Sequence, residues 1–167
     1  MFCIVLLALA CDKKPVEEPV VAEPVTLPVE LSYKGATKIG DMENVKTVLS
    51  CNKRFSELNA DLAEFFADSV DCHFADGTEI VASRDSVVSV IAGFIGTLSS
   101  LKIDFIAAVP VDNIDLKHEW VFAWTDEVHT FKDGTVVEQS FHEDYRMQGG
   151  KIREIFQYVR KLPVESK

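Results

Sequence analysis

Basic residues are the scarce class in this chain. Lysine and arginine total 17 against 27 aspartates and glutamates, a formal net charge of −10. Binding a nucleic-acid backbone takes a basic face, so no nucleic acid is expected as a partner. Electrostatic attraction to anionic lipid headgroups is excluded on the same ground. Histidine is scarce too, at four residues. No His-Glu-x-x-His or clustered Cys/His spacing occurs, so neither a metal site nor a cofactor is expected. His142, Glu143 and Asp144 are consecutive, but neighbours on a strand point to opposite faces and do not converge on one ion. A nucleophile elbow, a phosphate loop and a dinucleotide fingerprint are all missing. Internal repeats are missing as well. The apolar run Phe2 to Ala10 is too short to cross a bilayer as a helix.

What remains is a chain of 167 residues, 47% hydrophobic, a length that suggests one domain with some chain to spare. The spare part comes first. Residues 2–10 fit the hydrophobic part of a secretory signal. The sequence Ala8-Leu9-Ala10-Cys11 resembles the lipobox of bacterial lipoproteins. That resemblance implies loss of residues 1–10, lipidation of Cys11 and a lipid anchor in the bacterial cell envelope, facing the periplasm, with inner or outer membrane undecided. Residues 11–40 then read as a tether. Pro15, Pro19, Pro24 and Pro28 lie among Val and Glu with no helical or strand period, which favours extended, solvated chain. Two of the four cysteines, Cys51 and Cys72, stay in the folded part. An oxidising compartment permits a disulfide between them, and two buried free thiols are the alternative.

Residues 41–162 carry the periodicity of a domain, and 163–167 are a tail. Asp41 is placed as a helix N-cap. Val45, Val48, Leu49 and Phe55 follow at helical spacing, and Leu58, Leu62, Phe65 and Phe66 extend the pattern as a second helix after a bend. Val70, Cys72 and Phe74 alternate as a short strand, closed by Asp76-Gly77, with Glu79–Ala82 pairing back. Ser83 caps another helix, with Val87 or Val88, Ile91, Phe94, Ile95 and Leu98 as its stripe. Leu101, Ile103, Phe105, Ala107 and Val109 alternate as a long strand that Pro110 ends or marks as an edge.

Three more strands dominate the rest. Their alternating sets are Trp120, Phe122 and Trp124, then Phe141, Glu143, Tyr145 and Met147, then Ile152, Glu154, Phe156 and Tyr158. Lys132-Asp133-Gly134 and Gln148-Gly149-Gly150 supply the turns between them. The order of elements is that of an α+β fold with helices on one sheet face. The apolar residues Val121, Ala123, Ile155 and Val159 read as outward, beside the polar Glu127, Arg146, Arg153 and Gln157. Such a patch points to a homodimer through the sheet.

The block Glu119-Trp120-Val121-Phe122-Ala123-Trp124, with Lys132-Asp133-Gly134, Phe141-His142-Glu143-Asp144-Tyr145 and Gly150-Lys151-Ile152, resembles SnoaL-like domains of the nuclear transport factor 2-like superfamily. The resemblance implies a strongly curved antiparallel sheet with helices on its concave face, a cone-shaped, cystatin-like α+β barrel. Relatives include polyketide cyclases, ketosteroid isomerases and dehydratases, and many others that bind ligands or have no assigned activity. An acidic residue eight positions before the Lys of Gly-Lys-Ile is frequent in the family, and here that residue is Glu143. Nine positions after the Lys many catalytic relatives have Asp. Arg160 stands there instead, which weighs against cyclase or isomerase chemistry of that type.

The implied function is therefore a tethered domain that binds a small hydrophobic ligand or a partner in the envelope. An enzyme using Glu143 with Tyr145 or Tyr158 is the second possibility, and an interaction domain without ligand the third. Trp120, Phe122, Trp124, Phe141, Met147, Phe156 and Arg160 are the expected pocket lining. A carboxylate in such company has its pKa raised by desolvation. It serves either as a base or ligand anchor, or as half of a structural ion pair with Arg160 or another cation.

Overall fold

The first helix shows how local chemistry sets the frame. The Asp41 side chain accepts from the Glu43 backbone N–H at 2.9 Å, satisfying one of the donors a helix start leaves unpaired. The helix, α1, spans Met42–Ser56 and buries Asn44, Val45, Val48, Cys51 and Asn52, one stripe at 3.6-residue spacing. It does not resume after Ser56. Leu58 has φ 55°, which a right-handed helix does not admit. The loop beyond is held by Arg54, whose guanidinium donates to the Asp61 carbonyl at 2.8 Å and lies 4.7 Å from the centre of the Phe65 ring. The expected second helix over Leu58–Phe66 is thus replaced by this loop, a 3-10 turn at Ala63–Phe65 and the start of a strand.

This computed structural model describes residues 28–161. The expected signal sequence with Cys3, the expected lipidation site at Cys11, most of the expected tether and the tail lie outside the described residues. A short strand, β1 (Thr37–Ile39), precedes α1. After it come β2 (Phe66–His73), β3 (Glu79–Ser83), α2 (Arg84–Ile95), β4 (Leu98–Asn113), β5 (His118–Phe131), β6 (Val136–Gln148) and β7 (Lys151–Lys161). The seven strands form one curved sheet in the order β1-β4-β5-β6-β7-β2-β3. Its pairs are antiparallel except β2 with β7, which run parallel. The Ser83 side chain accepts from the Ser86 N–H and caps α2 as expected. Gly149 and Gly150, with φ 57° and 73°, let Gln148 and Lys151 pair directly across a two-residue turn.

Pro110 does not end its strand, which continues to Asn113. Its carbonyl accepts from the Gly40 N–H at 3.0 Å. The N and the carbonyl of a strand residue leave on the same side, so the missing proline N–H also faces away from β5. The β4–β5 ladder loses nothing.

Both helices cover the same sheet face, and the core lies between them and the sheet. Val121 and Ala123 of β5, Tyr145 and Met147 of β6, and Ile152 of β7 are all at most 4% exposed. They pack with Val45, Val48, Leu62, Val70 and Val87 in one cluster. Val121, Ala123, Ile155 and Val159 therefore belong to the helix-covered face, together with Glu127 and Gln157, and not to an outward patch. The apolar surface expected to join two copies is not composed of these residues. The open face carries Trp120, Phe122 and Trp124 instead.

The third strand also changes face along its length. Met147 pairs with Ile152, but Arg146 pairs with Glu154, so Arg153 is an extra residue in a β-bulge. Ile152 points to the helices. Glu154, Phe156 and Tyr158 point to the open face.

Ala123 is 1% exposed and packs in the core cluster with Val45 and Val48, so a larger side chain there must displace its neighbours. Ala123→Leu is expected to lower stability by about 1–3 kcal/mol. Ile106→Ala, at a side chain 62% exposed, should change it by less than about 0.5 kcal/mol. Urea unfolding midpoints of the two variants check the assignment of faces.

Candidate functional site

Beneath the helices, β5, β6 and β7 present polar groups in an otherwise apolar layer. On β6 the Tyr145 hydroxyl donates to Glu143 Oε2 in a short hydrogen bond. Gln157 Nε2, directly across on β7, donates to Glu143 Oε1 at 3.0 Å. Asn52 of α1 donates from Nδ2 to the Tyr145 oxygen at 3.0 Å. A tyrosine has one hydroxyl proton. Giving it to Glu143 and accepting from Asn52 satisfies all three groups.

Burial raises the Glu143 pKa first, and the Glu127 carboxylate raises it further, against the lowering effect of the Tyr145 and Gln157 hydrogen bonds. Burial and the Glu143 charge hold the Tyr145 hydroxyl well above its ordinary value. Cys51 lies close by on α1. Burial, then Glu143, push its thiol up to about 12, against Arg54.

A second polar group lies on β5. Glu127 Oε2 and His129 Nε2 are 2.7 Å apart, and Thr125 Oγ1 donates to Glu127 Oε1 at 3.0 Å. These three residues are 2–7% exposed. Their positions alternate, so all three share the helix-covered face. The His129 ring stacks on Phe141, 5.9 Å between centres, and meets the edge of Phe94 from α2.

Among the described residues, no cation pairs with Glu143. Arg160, the expected structural partner, projects from the other side of the sheet, in the row formed with Ser140. The ion-pair explanation of Glu143 is replaced by a network of neutral hydrogen-bonding groups. A carboxyl of raised pKa set among neutral groups can hold a proton at a ligand oxygen or accept one from it.

Of the residues expected at a site, Glu143, Tyr145, Phe141 and Met147 share the helix-covered face. Trp120, Phe122, Trp124, Phe156, Tyr158 and Arg160 are on the open face. There Trp124 stacks on His142 at 4.7 Å, Phe156 on His73 at 4.3 Å, and Trp120 on Phe122 at 6.2 Å. Trp124, Phe141, Tyr158 and Arg160 do adjoin one cavity of about 410 Å³, with His142, Asp126 and Ile106. Glu143 is not among the residues that line it. Charged groups lie beneath these rings. His142 and Asp144 are 3.0 Å apart, and Arg153 and Asp71 2.8 Å, distances of ion pairs without the alignment of hydrogen bonds.

Thr125, Glu127, His129, Asn52 and Gln157 were not legible as site residues. For the first three the signal was the polar alternation of β5, hidden by the aromatic alternation in the same strand. Among the described residues, no group of three or more His, Cys, Asp or Glu is placed to hold a metal ion. Cys51 and Cys72 are both free and buried.

No protein-family model matches this sequence, and no curated protein does. Solved structures do. An epoxide hydrolase of M. tuberculosis, described as LEH-like, aligns at TM-score 0.60 and 10% identity, over 71% of this chain and 84% of that one. The chain has the nuclear transport factor 2-like fold. A putative isomerase from Bacillus subtilis aligns at TM-score 0.58 and 15% identity, over 71% and 86% of the two chains. A putative polyketide cyclase from Xanthomonas campestris pv. campestris aligns at 0.51 and 14%, over 70% and 90%. At these identities the likeness is one of fold, and the nuclear transport factor 2-like frame accounts for the sheet and for the helices on its one face.

Two outcomes follow from the site. The native state binds the Glu143 proton more tightly than the unfolded chain does. The contribution of Glu143 to stability is therefore greatest below the ordinary carboxylate value and falls as pH rises from there through the raised one. Glu143→Gln should remove that fall, gaining on the wild type as pH increases. Urea midpoints measured across acid to neutral pH read the difference. Peptide mapping after thiol alkylation without reductant should find Cys51 unmodified in folded protein near pH 8, and both Cys51 and Cys72 modified after unfolding.

Proposed function

We propose that this is a small-molecule-binding domain of the bacterial cell envelope, tethered by a lipid on Cys11. Its ligand would be a mostly apolar molecule carrying one hydroxyl or carbonyl, held between the helices and the sheet with that oxygen on Glu143. The observation that carries this reading is the absence, among the described residues, of any cation paired with Glu143, whose partners are Tyr145 and Gln157. A structural carboxylate in a core is ordinarily paired with a cation, and this one is not. Neutral donors and acceptors on an apolar ground are how binding sites fix the orientation of a hydrophobic ligand. The fold supports the reading at the same level, since its neighbours include proteins described as an epoxide hydrolase, a putative isomerase and a putative polyketide cyclase.

One observation favours a second reading. The Glu127–His129 pair lies on the same face as Glu143, and the charge of Glu127 is felt there. A carboxyl and a carboxylate–imidazole pair on one face are a sufficient set for moving a proton across a bound molecule.

Native mass spectrometry of the purified protein should show a retained molecule of a few hundred daltons, and Glu143→Gln should weaken its retention about tenfold or more. Return of that molecule unchanged after incubation supports binding alone, and a changed mass supports turnover. An apo mass in every preparation would count against the reading. For the anchor, wild-type protein is expected in the membrane fraction and Cys11→Ser in the soluble fraction of the native host. Equal partition of the two would overturn the tether.

A further inference from the structure

Toward one side of the sheet lies a long strand that, among the described residues, is covered beyond β5 only at one end. β4 pairs with β5 along its length, but β1 reaches only Val111 to Asn113 on the other side. Among the described residues, no backbone hydrogen bond from any other element reaches Ser99–Val109. Phe105, Ile106 and Val109 are 42%, 62% and 38% exposed along this edge. An uncovered edge of this length is a template for another strand.

Natural edges are blunted by proline, bulges and charge, and β4 has all three. Their positions matter. Pro110 lies near the covered end. The two bulges fall between Leu98 and Ser100 and between Phe105 and Ala107, so Ser100–Phe105 is regular. The helix-facing residues of β4 direct their N–H and C=O away from β5, as Pro110 does. Leu101, Ile103 and Phe105 thus present free pairing groups at the edge.

The charges on this stretch are Lys102 and Asp104, 69% and 62% exposed and 2.6 Å from each other within the chain, a pair that can exchange partners with a copy of itself. A second β4 laid antiparallel about a twofold axis at Ile103 brings Lys102 opposite the partner's Asp104, and Asp104 opposite the partner's Lys102. Leu101 then meets the partner's Phe105. The charges that would repel an arbitrary strand attract a copy of the same one.

We infer that two copies of this chain join edge to edge through β4, centred on Ile103, to make one continuous sheet. The two Ile103 residues form a hydrogen-bonded antiparallel pair and exchange both backbone bonds. Two symmetric ion pairs fix the register, and cross-strand pairs of this kind are the unit of sheet stabilisation. The isologous contact closes on itself, as a twofold interface must.

Sedimentation equilibrium of the full-length protein in detergent, with the detergent density-matched, should give twice the chain mass. Lys102→Asp and Asp104→Lys, each of which sets like charges opposite each other twice, should weaken the dimer about tenfold or more. The double variant carrying both changes should restore it. Circular dichroism melts verify folding, since both side chains lie on the surface. In a separate experiment Ile103→Cys should cross-link between copies with a short bifunctional thiol reagent, and wild type should not. A monomer mass at all concentrations would overturn the inference. So would a dimer indifferent to the single reversals, or one lost in Trp124→Ala and kept in Lys102→Asp, which would place the contact on the open sheet face.

Discussion

The packing of α1 on one face of the sheet, against β4 and then β5, is the constraint on which the remaining structure depends. A helix packed there needs small side chains beneath it, and Val121 and Ala123 of β5 provide them. The large rings alternating with them are then forced to the other side. This one choice of face sets the whole of β5. It buries Thr125, Glu127 and His129, and it brings Asn52 at the end of α1 within hydrogen-bonding distance of Tyr145 on β6. The polar network around Glu143 follows from where that helix sits.

The same constraint gives the two faces different chemistry. Under the helices the polar groups are few, deeply buried and hydrogen-bonded to one another, so that desolvation governs their protons. Glu143 retains its proton above the usual range because burial outweighs two favourable hydrogen bonds. On the open face, rings half-covered by each other shield the side chains of Asp71, Asp144, Arg146, Arg153 and Glu154. The bulge at Arg153 connects the two arrangements. It keeps Ile152 in the core and turns Phe156, Tyr158 and Arg160 outward.

Much of the architecture was legible from local chemistry. Asp41 and Ser83 announce helix starts because a short oxygen-bearing side chain there satisfies a free N–H. The glycines at 149 and 150 announce a tight hairpin because they tolerate positive φ. The inward set Phe141, Glu143, Tyr145 and Met147 was legible too, since its alternate residues are His142, Asp144 and Arg146. β5 was not, because both of its alternating sets are apolar at the Trp120–Trp124 end. β7 was not, because its bulge shifts the parity partway along and nothing in the residues around Arg153 signals an extra position.

By itself, then, the sequence determined the succession of helices and strands, their caps and turns, and that Glu143 would sit among apolar neighbours. These depend on interactions within a few residues along the chain. Only the tertiary structure decided which face of β5 is covered, where Arg160 points, what hydrogen-bonds to Glu143, and that among the described residues the middle of β4 has no second strand beside it. Each of these depends on which distant segment arrives alongside and how closely it packs. A period-two pattern specifies two faces, and it takes the helix from another part of the chain to make one of them the inside.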